Sequence, residues 1–264
     1  MDETIVAEIR SRLKALEAQE RIAIPLAIES GSRAWGFPSP DSDYDCRFVY
    51  VRPLAETFTL FPQRDVIEEP LTEVFDINGW ELSKALRLML AGNAVIVEWL
   101  RSTFAYQEDG AFRNAALELA AEVCDRGLIG KHYYHLAQNQ MKRFIPPTEP
   151  VALKKVLYAL RPLMAILWLE ANPDASVAPM NFHELRAAAD IPERVSEKID
   201  ELLRLKAQTG EIGTGLLDPV LADFLFSTFQ RLEPWSSAVP SASDRGPIVD
   251  EFWRHWSREL APEV

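Results

Sequence analysis

Between residues 3 and 19, Ile5, Ile9, Leu13 and Leu16 recur at intervals of three or four with charges between them, the spacing of an amphipathic helix. The period then changes to two. The run IAIPLAIE over 22–29 predicts a strand in which Pro25 would suit an edge position. Over 43–51, Tyr44, Cys46, Phe48 and Tyr50 alternate with Asp43, Asp45, Arg47 and Val49, which predicts a second strand. Residues 71–77 predict a third. A helix follows from Trp80 to Leu90, Gly92-Asn93 punctuates it, and a shorter apolar segment ends at Trp99-Leu100. Residues 103–106 complete this part as a last short strand.

Beyond about residue 110 the period is helical, with helices predicted near 111–124, 127–144, 150–171, 192–207 and 218–231. Proline-bearing breaks fall at 146–150 and 173–179, and 235–247 reads as a loop. Pro162 lies inside a helical run, where its missing amide predicts a kink. The pattern therefore divides the chain into an α/β half, residues 1–110, and an all-α half, residues 111–264.

Composition narrows the class. The chain has 264 residues, 48% of them apolar, too many for a disordered protein. No apolar run approaches the roughly 20 residues that span a bilayer. The first segment is acidic and amphipathic, unlike a secretory signal. Two cysteines, Cys46 and Cys124, are too few for a disulfide framework or a structural zinc site. A cytoplasmic protein without a membrane partner is expected. The net charge of −12 argues against non-specific nucleic-acid binding.

The stretch that carries chemistry is ESGSRAWGFPSPDSDYD, from Glu29 to Asp45. A strand delivers the chain to Gly31-Ser32, where glycine allows a tight turn and a short helix can begin, so that amides and a hydroxyl point at one spot. Asp43 and Asp45 follow at the head of a strand and project to one face. Two such carboxylates repel each other unless a cation lies between them, and Mg²⁺ is commonly held by one or two carboxylates together with substrate phosphates. Asp76, flanked by Phe75 and Ile77, is the natural third carboxylate on a neighbouring strand.

Gly31-Ser32, Asp43-x-Asp45 and Asp76, in that order and spacing, resemble the DNA polymerase β-like nucleotidyltransferase superfamily. The wording GSRAWGFPSPDSDYDCRFVYV, with matching segments at 76–100 and 154–170, is similar to a bacterial group of predicted nucleotidyltransferases, some associated with RNA-repair ligases. The resemblance covers roughly residues 22–170. It implies an α/β (α+β) nucleotidyltransferase fold with a mixed sheet, followed by an all-α C-terminal domain. It further implies that Gly31 and Ser32 hold the β- and γ-phosphates of an NTP. Asp43, Asp45 and Asp76 would bind two Mg²⁺ ions, or Mn²⁺, and serve as the catalytic residues, Asp76 helping to deprotonate an acceptor hydroxyl. The acceptor would be RNA, such as an RNA end, or another hydroxyl. Two rivals stand beside it: an antitoxin-like enzyme that adenylylates a protein side chain with the same residues, and a nucleotide-binding module that has lost its chemistry, against which the intact Asp43, Asp45 and Asp76 argue.

Several neighbours carry expectations of their own. Arg33 could reach a phosphate or pair with Glu29 or Asp41. Arg47, on the same face as the two Asp residues, is expected to pair with a carboxylate. Cys46 should face the core, and Trp35 and Phe37 should pack the loop more than stack a base. Residues 126–161 hold seven basic side chains against one acid, a local charge of +6, so the other 228 residues sum to −18. On this island Lys131, His135, Gln138 and Lys142 form one helical stripe, and Lys154, Tyr158 and Arg161 form another. Lys131, Lys154, Tyr158 and Arg161 are therefore candidates for contacting the triphosphate or an RNA acceptor. Arg126-x5-His132 also matches the Arg…His spacing of helical RNase domains, a spacing that arises often by chance. Residues beyond about 180 carry no recognisable motif.

Overall fold

The computed structural model describes residues 1–61, 63–146, 149–209, 213–240 and 244–263. Helix α1 (Glu3–Glu20) starts on Asp2, whose carboxylate accepts the amides of Thr4 and Ile5, and stops at Arg21 in a left-handed conformation. It is followed by β1 (Ala23–Glu29), α2 (Gly31–Ala34), β2 (Tyr44–Val51), α3 (Leu54–Thr57), β3 (Val66–Glu68), β4 (Phe75–Glu81), α4 (Leu82–Leu90), α5 (Ala94–Arg101) and β5 (Ala105–Glu108). The remainder is α6 (Gly110–Val123), α7 (Arg126–Phe144), β6 (Val151–Ala152), α8 (Leu153–Ala171), α9 (Phe182–Ala188), α10 (Glu193–Gln208), β7 (Thr214–Gly215), α11 (Pro219–Arg231), a 3₁₀ turn (Glu233–Ser237) and α12 (Gly246–Leu260).

Strands β1 to β5 form one mixed sheet in the order β3-β4-β2-β1-β5. Only β2 and β4 run parallel; the other three pairs are antiparallel. The alternation along β2 decides what covers each face. Tyr44, Cys46, Phe48 and Tyr50 pack with Ile77 of β4 under Val6, Ile9, Leu13 and Leu16 of α1. Val49 and Val51 point the other way, into the core formed with α4 to α8 and the later helices. Asp45 and Arg47 share that second face, at the end where β2 begins. The larger core draws on Leu26 and Ile28 of β1 and on residues as far along as Val249, so it reaches across residue 110.

The structure departs from the pattern in instructive places. Pro25 is not on an edge: β1 lies between β2 and β5, and the proline falls where the β1–β2 register slips between Ala23 and Leu26. A bulge is the other position that tolerates the missing amide. The third predicted strand begins at Phe75 rather than 71, because the Thr72 hydroxyl accepts the Phe75 amide and closes a turn. That strand runs on to Glu81, so the next helix starts at Leu82, not Trp80. The three-residue β3, helix α9 and helix α12 were not predicted, and the last strand lies at Ala105–Glu108 rather than 103–106. The C-terminal half is not wholly helical, since Val151–Ala152 pairs with Thr214–Gly215. Among the described residues no helix is long and apolar enough to cross a membrane.

Candidate active site

The parallel pairing of β2 with β4 sets Asp45 directly opposite Asp76. Neighbouring strands lie about 4.8 Å apart, so the two carboxylates stand side by side on one face. A single cation joins them. Arg47 Nη2 donates to Asp45 Oδ1 at 2.9 Å and to Asp76 Oδ2 at 2.7 Å. Its Nη1 donates to the Asp76 carbonyl at 2.7 Å, which anchors the guanidinium across both strands. The expectation that Arg47 pairs with a carboxylate is met twice over. Cys46 is fully buried on the opposite face, where burial pushes its thiol well above the ordinary range.

Asp45 is crowded with negative charge. Burial pushes its carboxyl up to about 6; Arg47 pulls the other way, and Asp43 and Asp76 add to the rise. Directly behind it is a further acid. Glu29, 1% exposed at the end of β1, accepts the Tyr106 hydroxyl and, at 3.4 Å, the Asp45 amide. Burial raises Glu29 to about 7, against the effect of those hydrogen bonds. Sequence reasoning read Glu29 only as an ion-pair partner for Arg33.

The Gly31-Ser32 turn lies against this cluster. Gly31 has φ +58°, and a Cβ there would stand 1.7 Å from Asp45 Oδ2. Glycine is therefore required twice, for the backbone angle and for the approach of the carboxylate. Ser32 is buried in the first turn of α2, and its hydroxyl donates to Ser42 Oγ at 2.9 Å. Arg33 pairs with neither Glu29 nor Asp41. Its Nε donates to the Asp43 carbonyl at 3.1 Å, its Nη2 to the Ser42 carbonyl at 2.6 Å, and the guanidinium covers the Tyr44 ring. A planar fork that matches two successive carbonyls fixes the chain where it enters β2. Asp43 itself stands just ahead of β2, near enough to raise Asp45.

Tyr158 and Arg161 of α8 do reach this region, from beneath the loop. Tyr158 meets Trp35 edge-on, with ring centroids 5.6 Å apart, and also contacts Phe37. The Arg161 guanidinium lies 4.6 Å from the Trp35 ring centroid but is 5% exposed, donating to Glu98 Oε1 at 2.8 Å and to the Met180 carbonyl at 3.0 Å. Its charge is committed to a buried pair that Tyr133 completes with a 2.8 Å bond to the same Glu98 oxygen. Arg161 thus supports the loop and does not face a nucleotide. Lys154 occupies the first turn of α8, four residues before Tyr158. Lys131 is tied elsewhere, to the Ala238 carbonyl at 3.2 Å. Elsewhere in the basic island Arg143 of α7 and Lys155 of α8 flank the Phe144 ring, 4.9 and 4.6 Å from its centroid. Arg126 donates to the Leu169 carbonyl, and His132, half-buried six residues on, is held below the ordinary imidazole value by burial; they do not form a pair.

The residues that sequence reasoning left without a role close the loop from its far side. The Phe182 amide donates to the Trp35 carbonyl at 2.9 Å, and its ring meets Phe37 edge-on. His183 Nε2 lies 2.9 Å from the Gly36 carbonyl oxygen. Gly36, at φ +88°, has no room for a Cβ beside Asn181 and His183. Lys206 of α10 reaches Ser39 Oγ at 3.4 Å. No local pattern signals these contacts, which join positions about 150 residues apart.

Two carboxylates converging on one positive charge, with a third acid close by, are a donor set that suits a hard divalent cation. Among the described residues no three His, Cys, Asp or Glu side chains form a closed metal-holding group.

Comparison with known proteins fits this geometry. A protein of Bacillus subtilis (strain 168) called YcgL, itself uncharacterised, is 35% identical over 224 residues, which is 85% of each chain. Residues 5–254 match the sequence pattern of the RNA repair pathway DNA polymerase beta family. With the strand-paired acids, the glycine turn and nearly its whole length accounted for, the chain belongs to the RNA repair pathway DNA polymerase beta family.

Proposed function

We propose that the protein is a Mg²⁺-dependent nucleotidyltransferase that moves a nucleotidyl group from an NTP to a hydroxyl at an RNA end. The observation that carries this reading is the register of β2 and β4, which places Asp45 opposite Asp76 while the Gly31 turn closes on Asp45 Oδ2. Asp43, Asp45 and Asp76 would hold the ions. Bound there, Mg²⁺, or Mn²⁺ in its place, would supply charge neutralisation for the triphosphate and a clamp on the attacking and leaving oxygens. Gly31 and Ser32, at the head of α2, hold the β- and γ-phosphates. Asp76 is the more open acid, 32% exposed against 16% for Asp45, and so takes the proton of the incoming hydroxyl. That oxygen attacks the α-phosphorus in line, the bond to the β-phosphate breaks, and pyrophosphate leaves. The RNA acceptor is favoured by the family's place in an RNA repair pathway and by Lys154, a basic residue one helical turn from the loop-packing Tyr158 on α8.

The test incubates the protein with each NTP labelled at the α-phosphate, Mg²⁺ or Mn²⁺, and RNA ends of defined chemistry. Label in RNA supports the reading. Label in polypeptide would replace it with protein nucleotidylation. No label with any NTP would leave a binding module.

A further inference from the structure

The tail beyond residue 180 carries a buried cation that leads to the Gly-Ser turn. Lys206 of α10 is 3% exposed, its Nζ 5.6 Å from the Phe37 ring centroid and 3.4 Å from Ser39 Oγ. Ser39 meets Ser42 twice: its amide donates to Ser42 Oγ at 2.9 Å, and the two hydroxyl oxygens are 2.9 Å apart. Ser42 Oγ is in turn 2.9 Å from Ser32 Oγ. One ammonium and three hydroxyls form an unbroken line from α10 to the first turn of α2.

A hydroxyl has one proton and two acceptor sites, and an ammonium only donates. Two proton arrangements keep every bond of the line, and each leaves one terminal hydroxyl proton pointing outside it. In one, Ser32 donates to Ser42 and Ser42 to Ser39. In the other, Ser39 donates to Ser42 and Ser42 to Ser32, which frees the Ser32 proton for a ligand. Ser42 accepts two bonds and donates one in both cases, and Lys206 donates to Ser39 in both. Reversal therefore keeps every bond within the line and moves the one outward proton from Ser39 to Ser32, where a bound ligand can accept it. The fixed charge at one end also polarises each hydroxyl toward the other, because hydrogen bonds in a chain strengthen one another.

We infer that Lys206 is a positioning residue, which acts through Ser39 and Ser42 to make the Ser32 hydroxyl a donor to a bound triphosphate. The inference rests on the reading of Gly31-Ser32 as the phosphate-holding turn. A lysine that merely filled a gap between α10 and the loop would act independently of Ser32.

A double-mutant cycle separates the two cases. Binding of each of the four NTPs, and of tripolyphosphate, to the full chain in Mg²⁺ is measured by titration calorimetry for wild type, Ser32→Ala, Lys206→Met and the double variant. The expected result is about tenfold weaker binding for Lys206→Met, the size of a lost charge-assisted bond, and little further loss on adding it to Ser32→Ala. In turnover the loss should fall on KM more than on kcat. Losses that multiply, or a Lys206→Met protein that binds like wild type, overturn the inference. Ser42→Ala breaks the line without touching the buried charge, and the same cycle with it decides the matter if Lys206→Met does not fold. A wild-type protein that binds no NTP and no tripolyphosphate overturns the phosphate-turn reading and this inference with it. Binding with multiplying losses overturns this inference alone.

Discussion

The acids at the head of the sheet and the loop beside them are held in opposite ways. Asp45 and Asp76 are fixed by the register of two adjacent strands and by Arg47, itself two residues from Asp45. The loop from Gly31 to Ser42 is held from a distance, by Arg161 under Trp35, Phe182 and His183 on the backbone of Trp35 and Gly36, and Lys206 on Ser39. The first arrangement is set by a handful of neighbouring positions. The second exists only once the helical part has packed. Changes at the acids should therefore remove chemistry and spare the fold, whereas changes beneath the loop should cost stability and substrate affinity together.

The strongest test of that contrast is Asp45→Asn. Transfer of label should fall by roughly three orders of magnitude or more, the size expected when a group that stabilises transition-state charge is lost. The melting temperature should not fall, because the change removes a crowded carboxyl and leaves Asp76 to pair with Arg47. A large drop in melting temperature would mean that the acid is structural. Glu98→Ala is the counterpart beneath the loop. It strands the buried Arg161 charge and should cost about 3–5 kcal/mol in denaturant unfolding. The transfer that remains should show weakened NTP affinity. Unchanged affinity would separate the loop from its support.

The same contrast explains what was legible in the sequence. The shared face of Asp45 and Asp76 could be read because strand alternation specifies which side chains point together; Asp43, ahead of β2, lies outside that rule. The glycine turn could be read because Gly31-Ser32 ends a strand. Arg33 was assigned to ligands or acids, yet it binds the carbonyls of Ser42 and Asp43; backbone acceptors leave no mark in composition. Arg161 looked like a basic surface residue because its partner Glu98 lies 63 positions away. Helix α12 was missed although Val249, Phe252, Trp253, Trp256 and Leu260 follow the helical period, so there the signal was present and unread. Helix α9 is seven residues long, too short for its period to stand out beside proline-rich sequence.

A third prediction uses pH to probe the acids without removing them. Glu29 has a folded-state value near 7 against an ordinary 4.5, raised by burial first. A carboxyl that is easier to protonate in the folded protein stabilises the fold fully below its unfolded value, and that contribution is lost as pH rises through the folded one. Metal-free wild type should therefore lose roughly 3 kcal/mol relative to Glu29→Gln between about pH 4.5 and 7. The comparison is made by urea unfolding across that window. Parallel curves for the two proteins would show that Glu29 carries no such proton.

The smallest effect expected is at the rim of the loop. His183 is exposed, and its hydrogen bond to the loop, from Nε2 to the Gly36 carbonyl, is one that water can replace. His183→Ala should then cost about 0.5–1.5 kcal/mol in stability, the usual net value of one hydrogen bond. Its effect on transfer should be a modest rise in KM, because Gly36 is four residues from Ser32 and the loop keeps its ties to Phe182 and Lys206. If the loop were instead a single rigid unit set by every contact at once, this rim change would lower affinity as much as Glu98→Ala. Comparing the two variants in one titration thus shows whether support for the phosphate turn comes from the buried contacts or from the whole perimeter.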